Sequence, residues 1–145
     1  MNSPSGAFDA GLQQLPGLVV VAIGADVIEV DRIRQTIHRQ PNFVDRVFTV
    51  GEIEYCQNHR DPAERFAVRF AAKEAVLKAL GVGLGGADLT DIEVVRTGSG
   101  KPELTIAGRA QPLADELAIS DWLITLSHAD TVAQAFVAGL GPQAN

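Results

Sequence analysis

The pattern of apolar and polar residues predicts a domain that mixes strands and helices. Residues 17–30 (GLVVVAIGADVIEV) are rich in β-branched side chains and predict a central strand. Residues 62–80 are mostly apolar and predict one long helix. Asp61 and Glu64 can form a capping box at the start of that helix, Pro62 suits its first position, and Gly81 can close it.

Shorter segments complete the predicted fold. Helices are expected at about residues 31–39, at 109–118, and from a Thr49–Glu52 capping box to about residue 58. Two hairpins are expected, from residues 91–96 with 103–107 and from 122–127 with 132–137. The sum is a single α+β domain at residues 17–139, an antiparallel-rich sheet packed against helices. An N-terminal extension at residues 1–16 and a C-terminal tail at 140–145 would flank it.

Two segments give weaker signals. Residues 43–48 form a short apolar patch for which we predict no regular element. Residues 81–87 (GVGLGGA) lack the Gly-Lys-Ser/Thr ending of a phosphate-binding loop and follow a helix rather than a strand. We expect a flexible connection there, at a surface that a ligand can touch.

Four charged residues interrupt the apolar stretch at residues 66–80 of the long helix. Arg69 and Lys73 form one ridge, and Glu74 and Lys78 form a second ridge roughly 140° around the helix axis. An ordinary salt bridge between Glu74 and Lys78 would explain the second ridge without any function. The alternative is a carboxylate held at a cleft, and this hypothesis needs a second feature elsewhere in the chain.

Asp26 supplies that second feature. Gly24 interrupts the first strand and predicts a bulge or a close backbone approach. Beyond it, the alternation places Asp26 on the same face as Ile28 and Val30, where a carboxylate is unfavourable unless a cation or donor meets it. Asp26 and Glu74 together would suit a hard cation such as Mg²⁺, with water and phosphate oxygens completing its shell.

Composition and charge limit the classes of function. The chain is 46% hydrophobic and 21% charged, which is typical of a globular protein. Its net charge of -6 argues against nucleic acid as a partner. The longest apolar run, residues 18–23, is too short to span a membrane, and we expect no signal peptide. The single cysteine, Cys56, excludes an internal disulfide and fits a reducing cytoplasm.

Positive charge is concentrated in one segment despite the negative total. Arg32, Arg34, Arg39 and Arg46 lie between residues 31 and 46, together with His38. This segment could bind an acidic partner, or it could be a solvated helix face. His128, at the predicted tip of the second hairpin, is similarly either a ligand contact or a solvent-facing turn residue.

Six motifs resemble the holo-[acyl-carrier-protein] synthase family, the small 4′-phosphopantetheinyl transferases. Residues 24–33 (GADVIEVDRI) are similar to its opening motif, and Phe48-Thr49 with Glu52 to the next. Residues 69–81 (RFAAKEAVLKALG) resemble its helical signature, and residues 91–94, 100–102 and 126–128 follow in the family's order. The match covers about residues 20–137. Ala25 departs from the usual branched residue, the chain begins earlier than is usual, and the glycine-rich segment lacks some typical residues.

The resemblance implies a fold, a reaction and a set of roles. Such enzymes transfer the 4′-phosphopantetheine arm of coenzyme A to a serine of apo acyl carrier protein and release adenosine 3′,5′-bisphosphate. Asp26 and Glu74 would hold Mg²⁺, and a carboxylate, Glu74 foremost, would help to remove the serine proton. Lys78 would stabilise or protonate the leaving phosphate. The remaining roles would be coenzyme A phosphate contacts by Arg69, Lys73 and His128, and carrier docking by Arg32, Arg34 and Arg39.

The resemblance also implies a homotrimer with active sites between subunits. Two other hypotheses remain open from the sequence. One is a coenzyme A or nucleotide binding module without turnover, and the other is a non-catalytic, oligomerising α+β domain whose charged helix is merely salt-bridged. The sequence leaves open which carrier protein is served, whether acyl-coenzyme A is accepted, and what residues 1–16 do.

Overall fold

Residues 17–144 are the part of the chain that the computed structural model describes, and they form five α-helices and five strands. The first half contains β1 (Leu18–Glu29), α1 (Val30–Arg39), α2 (Phe43–Val47), α3 (Val50–Gln57) and α4 (Pro62–Ala79). A 3-10 turn at Leu89–Asp91 precedes β2 (Ile92–Arg96), β3 (Pro102–Ile106), α5 (Ala110–Glu116), β4 (Asp121–His128) and β5 (Val132–Pro142). The predicted α+β class is confirmed, while the predicted extension at residues 1–16 lies outside the described residues.

The strands form two antiparallel sheets. One has the order β1-β5-β4, and the other is the β2-β3 hairpin. Because β5 pairs with both β1 and β4, β5 occupies the centre of the larger sheet, and the predicted central position of β1 is wrong. Its β-branched residues, which favour any strand, do not report its place in the sheet.

The predicted C-terminal tail is wrong at residues 140–142. β5 continues to Pro142, which pairs with Leu18 at the start of β1. Leu140 is 5% exposed and belongs to the core. The glycines at positions 139 and 141 weakened the strand signal, but the long partner strand β1 supplies backbone hydrogen bonds to this end of β5.

Helix α4 packs directly across β1 and β5. A Cβ atom at Gly24 would overlap the carbonyl oxygen of Ala75, so the predicted close backbone approach is confirmed. Ala71, Ala72 and Ala75 are fully buried on this helix, and their small side chains leave room for the approach. The strand's register irregularity lies elsewhere, between Val20 and Ala22.

The predicted alternation of β1 is also present. Ile28 is 7% exposed on the inner face, whereas Val27 is 61% exposed on the opposite face. The outer apolar face, defined here as Ile23, Val27, Leu123 and Phe136, comprises exposed residues of all three strands of the larger sheet. This sheet therefore has one face covered by α4 and one apolar face open to solvent.

The helix starts agree only partly with the predicted caps. At α3 both hydrogen bonds of the Thr49–Glu52 capping box are present, at 3.2 Å and 3.0 Å. At α4 no side-chain cap forms, because Asp61 receives two hydrogen bonds from Arg34 instead, at 2.7 Å and 2.9 Å. Contacts between separate helices override the local capping preference there.

Helix α2 was absent from the sequence-based prediction. Its five residues are too few to show a helical period. The helix is held by tertiary packing: the ring of Phe43 lies 6.0 Å from that of Phe48 and 5.9 Å from that of Phe70, centroid to centroid. No helix within residues 17–144 is long and apolar enough to cross a membrane.

Gly24→Ala should lower the free energy of unfolding by about 3 kcal/mol, because the added methyl group meets a backbone oxygen that cannot turn away. Gly98→Ala is the matched control, since a Cβ at Gly98 meets no atom within 4 Å. Urea-induced unfolding of both variants at one protein concentration measures the difference. Equal stability of the two variants would contradict the close packing of α4 on β1.

Candidate active site

Asp26 and Glu74 line one cleft of about 570 Å³. Asp26 projects from the inner face of β1, and its side chain is 12% exposed. Glu74 projects from α4 and is half-buried. Arg32, from the first turn of α1, borders the same cleft. The close packing of α4 on β1 thus brings together two carboxylates that the sequence places far apart.

The two carboxylates share the cleft with two arginines, Arg32 and Arg46. Burial raises the pKa of Glu74, and the negative charge of Asp26 raises it further, while Lys78 and Arg32 act in the opposite direction. Burial and the charge of Asp26 together outweigh the effect of the two cations on this pKa. A divalent cation bound by both carboxylates would favour their charged forms.

The donor set fits a hard cation that takes further ligands from solution. The described residues contain no cluster of three or more His, Cys, Asp or Glu side chains able to bind a metal. Two carboxylates at an open cleft match the way Mg²⁺ is commonly held, by one or two protein carboxylates with water and phosphate oxygens as the other ligands. Asp26 and Glu74 are therefore the residues that would hold such an ion.

Lys78 reaches the cleft from one turn beyond Glu74. Its Nζ lies 3.0 Å from Asp26 Oδ1 and 3.1 Å from the carbonyl oxygen of Ala25. The alternative interpretation of the sequence, a salt bridge between Glu74 and Lys78 along the helix, does not describe this contact. Lys78 instead crosses from α4 to β1, and its side chain remains 57% exposed.

Lys73 lies in the core, which makes the predicted coenzyme A phosphate contact wrong for this residue. Its side chain is fully buried, and its Nζ lies 2.7 Å from Glu52 Oε1. It also donates hydrogen bonds to the carbonyl oxygens of Leu89, at 2.8 Å, and Ile92. The ammonium has three partners and no path to a ligand. No local pattern could have shown this, because its partners lie on other elements.

Glu52 is a structural residue, and the sequence predicted only its role in the capping box. Besides closing the capping box of α3, its carboxylate accepts a hydrogen bond from the backbone N–H of Val94 at 3.0 Å. Together with Lys73 it joins α3, α4 and β2 at one buried point. Burial lowers the pKa of Lys73, whereas the charge of Glu52 opposes that shift.

Arg69 is buried away from the carboxylate cleft. It is 1% exposed, and its guanidinium carbon lies 4.0 Å from the ring centroid of Tyr55. Its Nε and Nη1 have no hydrogen-bond partner among the described residues. It borders a separate cavity of about 220 Å³, which Glu93 and Arg96 also line. Within one chain, Arg69 therefore does not share a site with Asp26 and Glu74.

His128 is also separate from that cleft. It ends β4, and its Nδ1 lies 2.7 Å from Glu64 Oε1. Glu64 is thus turned toward the histidine rather than toward the start of its own helix, where the capping box was predicted. The side chain of His128 is 30% exposed, so a ligand can still reach it.

The three arginines predicted to dock a partner differ in their surroundings. Arg32 is exposed and borders the cleft. Arg34 is held by Asp61 and, at 3.4 Å, by Asp31. The hydrogen bonds from Arg34 lower the pKa of Asp61. Arg39 is exposed in the last turn of α1. Arg34 thus fixes α1 against the start of α4, while Arg32 and Arg39 are the freer charges.

Sequence reasoning missed the apolar wall of the cleft. This wall combines residues from six segments, namely Ile28, Ile33, Phe43, Val47, Phe70, Leu84 and Leu89. Two of them come from the unpredicted helix α2, and Leu84 comes from the glycine-rich segment, which was expected to meet a ligand. The cleft therefore combines charged side chains with apolar surface.

Comparison with known proteins finds relatives of this chain. A family model for the 4′-phosphopantetheinyl transferase superfamily matches residues 22–135. A holo-[acyl-carrier-protein] synthase from Moorella thermoacetica is 44% identical over 112 residues, which cover 77% of this chain and 88% of that protein.

The chain belongs to the holo-[acyl-carrier-protein] synthase family. The resemblance of its six motifs to this family is thereby confirmed.

Solved structures of the family share the fold. The holo-acyl-carrier-protein synthase of Plasmodium yoelii superimposes with a TM-score of 0.77 at 28% identity, covering 88% of this chain and 99% of that one. The synthase of Bacillus anthracis, solved in complex with CoA (3′,5′-ADP), gives a TM-score of 0.70 at 31% identity, covering 84% of this chain and 97% of that one. The family's fold thus spans nearly all of the described residues.

Lys73→Met should lower the free energy of unfolding by about 3–5 kcal/mol, because Glu52 would stay buried without its cation. The double variant Glu52→Gln/Lys73→Met should recover part of the loss. Lys101→Met, at an exposed lysine, is the control and should change little. These values come from urea-induced unfolding. Wild-type stability of Lys73→Met combined with weaker coenzyme A binding would instead restore the ligand role.

Proposed function

We infer that this chain transfers the 4′-phosphopantetheine group of coenzyme A to a serine of apo acyl carrier protein. The observation that carries the inference is that Asp26 and Glu74 line one cleft, with Lys78 bound to Asp26, in a member of this enzyme family. A new bond forms between the serine oxygen and the β-phosphorus of the diphosphate. The bond from that phosphorus to the bridging oxygen breaks, and adenosine 3′,5′-bisphosphate leaves with the electron pair.

We propose that the reaction depends on Mg²⁺ held by Asp26 and Glu74. When bound, the ion would neutralise negative charge on the diphosphate as the transfer proceeds. The support for this proposal is that both carboxylates line one cleft, and that burial and the charge of Asp26 raise the pKa of Glu74. The apolar wall of the cleft suits the pantetheine arm, because this flexible arm carries no charged group that would have to be buried.

Glu74 is the proposed acceptor of the serine proton, directly or through one water. Its raised pKa makes its carboxylate a stronger base than an ordinary glutamate. Lys78 is the proposed cation for the leaving phosphate, because its exposed ammonium lies beside the carboxylates and can turn toward the diphosphate. The two residues stand one helical turn apart, so the proton acceptor and the cation flank the same reacting group.

Coenzyme A is the proposed phosphopantetheine donor, and the homologue from Bacillus anthracis binds it. His128 is a proposed phosphate contact, since its ring is accessible beside Glu64. Arg69 is a proposed phosphate contact only through the small cavity that it borders, because Tyr55 covers its guanidinium. Both residues lie apart from the cleft of their own chain, which favours a site completed by a second copy.

We propose a homotrimer with sites between subunits, in the cytoplasm. The outer apolar face supports the assembly: Ile23 is 73% exposed and Phe136 is 56% exposed, although both are large apolar residues. The chain's single cysteine, Cys56, is free and buried, and the absence of an internal disulfide fits a reducing compartment. Sedimentation equilibrium of the full chain tests the assembly, and a monomer would contradict it.

Transfer is tested with apo carrier protein, coenzyme A and Mg²⁺, followed by mass spectrometry of the carrier. The full chain should add one phosphopantetheine group, whereas Asp26→Ala and Glu74→Ala should each reduce the rate about 100-fold or more. Glu103→Ala, at an exposed carboxylate on β3, is the control for lost charge. If the carrier stays unmodified while this chain binds coenzyme A, the chain is a binding module. If the chain shows no transfer and no coenzyme A binding, only a structural role remains.

Arg32→Glu should raise the KM for the carrier about tenfold while changing the KM for coenzyme A far less, because Arg32 lies exposed at the mouth of the cleft and would meet an acidic partner. Arg39→Glu should have a smaller effect, since Arg39 lies at the far end of α1. Steady-state kinetics with each substrate varied in turn gives both constants. Equal increases in the two KM values for Arg32→Glu would contradict the docking role.

A further inference from the structure

Lys78 forms an ion pair with only one of the two carboxylates of the cleft. Its Nζ contacts Asp26 at 3.0 Å, on a different element, and within residues 17–144 Glu74 makes no ion pair even though it lies one turn away on the same helix. A second contact, to the carbonyl oxygen of Ala25 at 3.1 Å, fixes the ammonium against β1. The lysine thus occupies one oxygen of the carboxylate that a divalent cation would need.

The two partners of this contact differ in exposure. Asp26 is held on a strand with 12% of its side chain exposed, whereas 57% of the Lys78 side chain is exposed. Lys78 can therefore leave by rotating its flexible stem into solvent or into the cleft, while Asp26 stays in place. An ion pair with one such exposed partner is weak, so a divalent cation can displace the lysine.

We propose that Lys78 is a positioning residue that holds Asp26 before the divalent cation arrives, so that the lysine and the cation compete for the same carboxylate. When Asp26 takes up the cation, the Lys78 ammonium is released toward the phosphate-bearing substrate. This inference rests on the proposed metal role of Asp26 and Glu74. It adds that binding of the cation and delivery of the Lys78 charge are coupled.

The competition has a consequence that catalysis by Lys78 alone would not produce. Removing Lys78 should strengthen binding of the divalent cation in the absence of coenzyme A, and at the same time slow the transfer reaction. A lysine that acted only on the leaving phosphate would slow transfer and leave metal binding in the free enzyme almost unchanged. Metal affinity is therefore the measurement that distinguishes the two roles.

The test uses the full chain, freed of metal, with Mn²⁺ as the probe and the electron paramagnetic resonance signal of free Mn²⁺ as the measure of binding. Lys78→Met should bind Mn²⁺ about five- to tenfold more tightly than the unaltered chain. Lys101→Met removes the same charge at an exposed site on the β2-β3 hairpin loop and should leave the affinity unchanged. Lys78→Arg keeps a cation able to pair with Asp26 and should bind Mn²⁺ no more tightly than the unaltered chain.

Affinity that is unchanged or weaker in Lys78→Met would overturn the inference, as would an equal gain in Lys101→Met, which would show a general effect of net charge. Asp26→Asn separates this failure from failure of the metal assignment. If Asp26→Asn loses Mn²⁺ binding while Lys78→Met does not gain it, only the competition is wrong. If Asp26→Asn binds Mn²⁺ normally, both the competition and the metal role of Asp26 are wrong.

Discussion

The contact between Gly24 of β1 and the backbone of α4 at Ala75 is the constraint on which the site depends. Because a Cβ atom would overlap the Ala75 carbonyl oxygen, only glycine lets the helix approach this closely. Asp26 lies two residues after Gly24 on the same strand face, and Glu74 directly precedes Ala75. The spacing that joins strand and helix therefore also sets how near the two carboxylates come.

A second buried contact keeps α4 from turning. Lys73 is bound to Glu52, and Glu52 is bound in turn to the N–H of Val94, so α3, α4 and β2 share one polar centre. Lys73 and Glu74 are adjacent in sequence, but Lys73 is buried in the core and Glu74 lines the cleft. Rotation of the helix would break the ion pair between Lys73 and Glu52. Each buried charge would then lack its partner, which is energetically costly.

The division of charge around α4 explains how an acidic chain can carry out phosphate chemistry. Three of its four cations differ in surroundings: Lys73 lies in the core, Arg69 lies against Tyr55, and Lys78 is paired with Asp26. Of these three, only Lys78 has an exposed side chain. Burial and the charge of Asp26 raise the pKa of Glu74, and a divalent cation bound by both carboxylates would favour their charged forms.

The sequence by itself determined the α+β class and the approximate bounds of α3 and α4, and it placed Asp26 and Glu74 at one site, because these follow from local periodicity and family motifs. At Gly24 the sequence left a bulge and a close backbone approach open, and the structure shows the close approach. Tertiary structure alone decided that β5 is the central strand, that residues 43–47 are helical, and that Lys73 is structural while Lys78 turns to Asp26. Those outcomes depend on partners from distant segments, and a lysine's sequence position does not say which carboxylate it will meet.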